Sequence, residues 1–254
     1  EQLETIKQEI TDLTDQITTA GNQLEQKSSA LGQQVKLTQQ TELERNTVKS
    51  NLNTLKKMED NFEWYRDGVK ALMKGLTPEK RRAQGIRGLV ADIIAPQPGY
   101  EAAVEAALGE SLQYVLVDRQ EQAMNAIDFL RQGRAGRSGF VPLPDTRPLT
   151  VPQAPPPPAN ERLLNHVVVS EGYDDVAEAL LGHVTVADDL ETAVARFNRN
   201  GVFRSIVTLK GETVSCQGTI AGGRGGESAG ILAHKQEIRQ LHKSIAGLDG
   251  QIQS

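Results

Sequence analysis

The stretch Tyr100-Glu-Ala-Ala-Val-Glu-Ala-Ala-Leu-Gly109 returns further along the chain as Tyr173-Asp-Asp-Val-Ala-Glu-Ala-Leu-Leu-Gly182, with Tyr, Glu, Ala, Leu and Gly at equivalent places. Working outward from the first copy, apolar runs that read as strands lie at 88–95, 114–118 and 139–143, with helices at 100–113 and 120–132. Around the second copy the strands fall at 167–170, 184–187, 205–209 and 212–215, and the helices at 173–181 and 190–200. The order βαβαβ occurs twice. It predicts a mixed α/β domain built of two similar halves, although five identities in ten among alanine-rich helices also lie within the reach of chance. Between the halves, Pro142 to Pro158 holds eight of the eleven prolines. Proline fixes φ and lacks an amide hydrogen, so this segment reads as an extended spacer.

Both ends of the chain carry heptads. In the N-terminal stretch Leu3, Ile10, Ile17, Leu24, Leu31, Thr38, Arg45, Leu52 and Glu59 occupy position a, and Ile6, Leu13, Ala20, Lys27, Gln34, Thr41, Val48, Leu55 and Phe62 occupy position d. No proline precedes Pro78, so a long helix is unbroken. At the other end Ile231, Ile238, Ile245 and Ile252 share one heptad position, and His234, Leu241 and Leu248 the other. A chain that leaves a compact domain along one helix and returns along another pairs them antiparallel. The helices are unequal, which suggests a piece of a longer protein with an uncovered seam from Leu3 to Leu31. The expected division is an N-terminal arm at 1–76, a first half at 77–143, a Pro-rich linker at 144–164, a second half at 165–228 and a returning arm at 229–254.

Composition excludes several classes. No run approaches the roughly 18 apolar residues of a membrane span, and the chain starts Glu1-Gln2-Leu3-Glu4 rather than with a basic, then apolar, leader, so a cytoplasmic protein is expected. The lone Cys216 forms no internal disulfide, in keeping with a reducing compartment. No Gly-x4-Gly-Lys-Ser/Thr phosphate loop occurs, and Gly218-Thr-Ile-Ala-Gly-Gly-Arg-Gly-Gly226 does not fit a dinucleotide fingerprint. His166, His183, His234 and His242 show no metal-ligand spacing with each other or with Cys216. Asp92, Asp118 and Asp188 are the tempting strand-end carboxylates, and nothing pairs them with a base or nucleophile. Neither a catalytic residue, a metal nor a cofactor is assigned.

Two features remain. Glycines after a strand mark a tight turn, a flexible loop or a close backbone approach. Gly218, Gly222 and Gly223, interleaved with Thr219 and Ile220, suit a strand lying against a second subunit. The net charge is -5, yet Arg66 to Arg87 holds seven basic residues against Asp67 and Glu79. Arg224, Lys235, Arg239 and Lys243 open the returning helix, and antiparallel pairing brings them alongside. Such clustering serves phosphate binding, and a solvated helical face accounts for it equally well. Phe62, Trp64 and Tyr65 just before the patch suit base stacking or, more simply, packing of a helix end onto its domain.

The local text then resembles one family. Gly85-Ile-Arg-Gly-Leu-Val-Ala-Asp-Ile-Ile94, the helix from Tyr100, Val115-Leu-Val-Asp118, Ala126-Ile-Asp-Phe-Leu130, Gly139-Phe-Val-Pro-Leu143 and Val207-Thr-Leu-Lys-Gly-Glu212 leading to Gly218-Thr-Ile-Ala-Gly-Gly223 are similar in order and spacing to the bacterial hinge of SMC (structural maintenance of chromosomes) proteins. Glu63-Trp-Tyr-Arg-Asp-Gly-Val69 resembles the family's coil-to-hinge junction. The resemblance covers about residues 60–240. It implies a non-catalytic homodimerisation hinge in which strands pair across the subunit boundary and Gly218, Thr219, Ile220, Gly222 and Gly223 form one contact. Gln217 departs from the family's glycine there, which implies a looser or differently built contact. The resemblance further implies non-specific DNA contact, for which Lys74, Lys80, Arg81, Arg82, Arg87, Lys235 and Arg239 are the candidates. It also implies ATPase heads outside this fragment, accessory subunits on those heads, and a cytoplasmic, nucleoid-associated location. The rival readings are a nucleic-acid-binding α/β module whose dimerisation is incidental, and a small-molecule α/β enzyme.

Overall fold

With no helix breaker before Pro78, the first helix α1 (Gln2–Asp60) runs for 59 residues. The computed structural model describes residues 2–143, 161–200, 204–223 and 230–253. The chain divides into an arm unit, up to Asn53 and again from Gln240, and a core unit, Thr54–Arg239.

In the core unit, α1 ends in a turn whose Phe62 has φ 52°. Helix α2 (Asp67–Gly75) buries Gly68, Val69, Leu72 and Met73. Helix α3 (Pro78–Ala83) starts with Pro at its first position, and the Thr77 hydroxyl accepts from the Lys80 amide at 3.4 Å. There follow β1 (Ile86–Leu89), α4 (Val90–Ile93), β2 (Ile94–Pro96), α5 (Glu101–Leu108), β3 (Val115–Val117), α6 (Gln120–Gly133) and β4 (Phe140–Pro142). The second half is β5 (Val167–Val169), α7 (Asp174–Leu181), β6 (Val184–Ala187), α8 (Leu190–Asn200), β7 (Ser205–Thr208), β8 (Thr213–Val214) and β9 (Ile220–Ala221), after which α9 (Ile231–Gln253) leaves.

The sheets have orders β1-β3-β4, β2-β5 and β6-β7-β8-β9. Each half contains a parallel βαβ unit, β3-α6-β4 and β6-α8-β7. The single strand expected at 88–95 is instead two strands in different sheets, split by the one-turn helix α4. The cause is local. Gly88 at φ 142° lets β1 bulge against β3, and the Asp92 carboxylate accepts from the Leu89 amide at 2.9 Å. A continuous apolar run cannot by itself tell a buried strand from a buried turn of helix.

The duplication is visible as a two-fold relation. Strands β2 and β5 precede the matched Tyr100 and Tyr173, and they pair antiparallel with Ile94 opposite Val169, Ala95 opposite Val168 and Pro96 opposite Val167. The ladder continues symmetrically, the Gln97 amide donating to the His166 carbonyl and the Ser170 amide to the Ile93 carbonyl, each at 2.9 Å. One apolar core runs through both halves, including Leu89, Leu112, Leu116, Leu163, Leu181, Ile231 and Leu232. Leu163, placed in the linker by its sequence, is fully buried, while 144–160 lie outside the described residues.

In the arm unit the covered positions of α1 are Thr38, Thr41, Arg45, Val48 and the buried Leu52, and those of α9 are Leu241, Ile245, Leu248, Asp249 and Ile252. All but Asp249 are seam positions of the heptads. Arg45 pairs with Asp249. Because α9 is only 23 residues long, it shields a matching stretch of α1, and Leu3, Ile17 and Leu24 remain 67%, 71% and 71% exposed.

Candidate dimer edge and basic junction

Ile220 and Ala221 form β9, the end strand of its sheet, and both are exposed, Ile220 to 54%. Among the described residues the strand pairs with β8 alone. The Ser215 amide donates to the Thr219 carbonyl at 2.8 Å, the Gly218 amide to the Ser215 carbonyl at 2.9 Å, and the Ser215 hydroxyl accepts from the Thr219 amide at 3.1 Å. Among the described residues no strand pairs with the outer side of β9. Gly218 (φ 84°) and Gly223 (φ 107°) lie in the left-handed half of conformational space, so the turn itself demands glycine there. A Cβ on Gly222 would stand 3.3 Å from the Glu212 Cγ. Local geometry thus explains these glycines without a partner, and the exposed edge with Ile220 is the independent sign of one.

The basic candidates separate into two groups. Lys74, Lys80 and Arg82 are exposed and make no ion pair among the described residues. They lie in the last turns of α2 and α3, where cations also answer the helix dipole. The other four are engaged. Arg81 stands 5.8 Å from the Phe62 ring centroid and 3.5 Å from the Met73 Sδ. Arg87 makes a two-pronged pair with Asp118 at 2.6 and 2.7 Å, which holds that carboxyl below its usual range. Arg239 donates to the Gln236 Oε1 at 3.0 and 2.7 Å.

Lys235, read from its sequence as a phosphate contact, is only 11% exposed, with its ammonium 2.7 Å from Glu59 and 2.9 Å from Asp92. Burial works against its charge, but Asp92 above all, with the hydrogen bonds to Glu59 and Asp92, keeps its pKa above the lysine norm. Beside it the buried Tyr65 hydroxyl is pushed up by desolvation. A groove of about 390 Å³ runs here, lined by Arg81, Arg82 and Arg87 together with Glu59, Asp60 and Asp92. The mixed lining leaves the exposed cations, Lys74 and Lys80 outside it and Arg82 on its rim, as the better anion contacts.

The aromatic trio packs. Phe62 and Tyr65 rings are 5.9 Å apart, and Trp64 stacks on His234 at 4.6 Å. Sequence reasoning missed Glu105, whose carboxylate accepts from the amides of Gly230 at 2.7 Å and Leu232 at 2.6 Å and so caps α9. Nothing in the local sequence signals a cap supplied from 125 residues away. Arg224, also read as a phosphate contact, lies outside the described residues. Among the described residues no group of three potential metal ligands assembles.

Residues 83–196 match the family model for the SMC proteins flexible hinge domain. The chromosome partition protein Smc of Myxococcus xanthus is 36% identical over 205 residues, 79% of this chain and 17% of that protein. The Bacillus subtilis protein of the same name is 31% identical, over 89% of this chain and 19% of its own length. The chain therefore spans under a fifth of these relatives. Among solved structures, an asymmetric dimer of the Geobacillus stearothermophilus SMC hinge domain is 27% identical with a TM-score of 0.76, covering 87% of this chain and 90% of that one. The Pyrococcus furiosus SMC hinge domain, 22% identical with a TM-score of 0.50 over 72% of this chain and 89% of that one, shares the fold. With a two-half α/β core between an outgoing and a returning helix, matched in sequence and in structure, the chain belongs to the SMC family and carries its hinge domain flanked by coiled-coil segments.

Proposed function

We propose that this chain is the homodimerisation hinge of a chromosome-partition protein, a non-catalytic joint between two coiled-coil arms, which contacts DNA non-specifically through the exposed part of its basic junction. The observation that carries the reading is the unpaired β9 edge with Ile220 exposed to 54%, in a domain similar to one solved as a dimer. An open, partly apolar edge is a template for a strand of a second copy. Strand β4, an end strand of the sheet β1-β3-β4, is the complementary edge in this reading. In this reading the arms are 1–76 and 229–254, the hinge halves 77–143 and 165–228, and the linker 144–164. The heads, their accessory subunits and a cytoplasmic, nucleoid-associated location belong to the full-length protein.

Ile220→Asp is the cleanest test, because the side chain is exposed and its backbone is ordinary, whereas a bulky residue at Gly223 is strained by its φ. Sedimentation of the wild type across a dilution series should show a dimer at low and high salt, and the variant should be a monomer with unchanged circular dichroism. A variant dimer as tight as wild type removes β9 from the interface.

DNA binding is read separately. Lys80→Glu with Arg82→Glu should leave the dimer intact, weaken duplex binding for every sequence, and flatten the slope of log affinity against log salt by about 0.9 for each phosphate no longer neutralised. Affinity and slope equal to wild type would place the DNA surface elsewhere.

A further inference from the structure

The apolar seam of the arm does not by itself choose a register. Position by position, α9 repeats isoleucine each heptad, at Ile231, Ile238, Ile245 and Ile252. Sliding it by one heptad sets isoleucine where isoleucine was, and in the arm leucine where leucine was, at Leu241 and Leu248. The covered a positions of α1 are Thr38, Arg45, Leu52 and Glu59, two of them charged. In coiled coils a charged or polar residue at a costs stability and specifies pairing.

Both charged a residues are matched. Arg45 pairs with Asp249 in the arm unit, and Glu59 with Lys235 in the core unit. The separations agree: 45 to 59 and 235 to 249 are both 14 residues, two heptads. The signs are opposite in the two pairs. A slip of two heptads one way would set Glu59 against Asp249, and the other way Arg45 against Lys235, like charges in each case. A slip of one heptad would leave the buried Lys235 ammonium without Glu59. Lys235 also binds Asp92, whose other oxygen accepts from the Leu89 amide, so the same lysine is tied to the first turn of the hinge's own α4.

We infer that Lys235 with Glu59, and Arg45 with Asp249, are register pins: opposite-sign pairs, their α1 members at a positions two heptads apart and their α9 members each one residue past the seam, that select one alignment of the returning helix, with Asp92 carrying that alignment into the hinge. Buried ion pairs are weak sources of net stability but penalise alternatives in which one member stands unpaired. Lys235 and Glu59 are positioning residues.

The test uses the whole chain with Cys216→Ser and a short bis-maleimide cross-linker. Three reporter pairs are made: Arg45→Cys with Asp249→Cys for the native register, and Thr38→Cys or Leu52→Cys with Asp249→Cys for slips of one heptad either way. Each removes the distal pin, so Lys235 alone should hold the register and only the native pair should react. Adding Lys235→Met, or independently Glu59→Leu, which makes the seam more apolar, should raise the slipped products about tenfold, the change that follows from losing about 1.4 kcal/mol of discrimination. Lys235→Arg should restore the wild-type pattern. If either folded variant, judged by unchanged helicity, cross-links only in the native pair, the pin assignment is overturned.

Discussion

A lysine held between two carboxylates and shielded from water does different work from one on an open helix face. Lys235, at 11% exposure, is committed to Glu59 and Asp92, whereas Lys80, in the short helix α3, is exposed. Their identity is the same, and only the fold assigns the role. Two glycines make the same point through sterics: a Cβ on Gly68 would lie 2.5 Å from the Arg137 carbonyl oxygen, and one on Gly139 would lie 2.3 Å from the Tyr114 ring. His183 carries a pH prediction. Its Nδ1 is buried without a partner among the described residues, and desolvation lowers its pKa below 6.5. The unfolded chain then binds the proton more readily, so stability is full above the unfolded value of about 6.5 and falls as pH drops through it. Asp118, held low by Arg87, keeps its contribution until pH falls below about 3.9, its unfolded value. Urea unfolding at pH 7.5 and 5.5 should therefore show a loss in the wild type that His183→Gln flattens. An equal loss in both would exonerate His183.

At the scale of elements, the helices were legible because their signals are periodic. The heptads name the residues that α1 and α9 cover, from Thr38 to Leu52 and from Leu241 to Ile252, and they leave Leu3 to Leu31 bare, as observed. β6 and α8 fall where alternation and amphipathicity place them. The run from Gly88 to Ala95 was not legible, since its break depends on a positive φ at Gly88 and a carboxylate cap from Asp92. The start of α9 depends on Glu105 in the same way. A carboxylate there satisfies free amides and faces the positive helix end. Glu105→Gln keeps one acceptor but turns an amino group toward the donors, and it should cost about 1–3 kcal/mol in urea denaturation with an unchanged m value. No change in midpoint would mean that water serves α9 equally well.

For the whole molecule, the antiparallel pairing of β2 with β5 makes the two halves one domain, with a main core reaching from Tyr65 to Leu232 beside a smaller cluster of Ala187, Ala193, Ile206 and Val214. The Tyr100 and Tyr173 repeat announces that symmetry, yet only the ladder shows that the halves meet through the strands preceding those tyrosines. In the proposed dimer, the strand edges left over are the ones that meet a second copy. On this reading the wild-type mass should stay dimeric on dilution and in high salt, because backbone and apolar contacts, unlike exposed ion pairs, are little screened.

Sequence alone determined the class of this protein: the heptads, the repeated βαβαβ order and the family text are local or periodic, and each is complete within a few turns of chain. Tertiary structure alone decided which charges are spent and which are free, where the strand at 88–95 breaks, and how the returning helix is capped. Those outcomes turn on partners such as Glu105 and Gly230, or Lys235 and Asp92, 125 and 143 residues apart. Burial and hydrogen bonding belong to pairs of groups, and no residue carries its distant partner in its own local pattern.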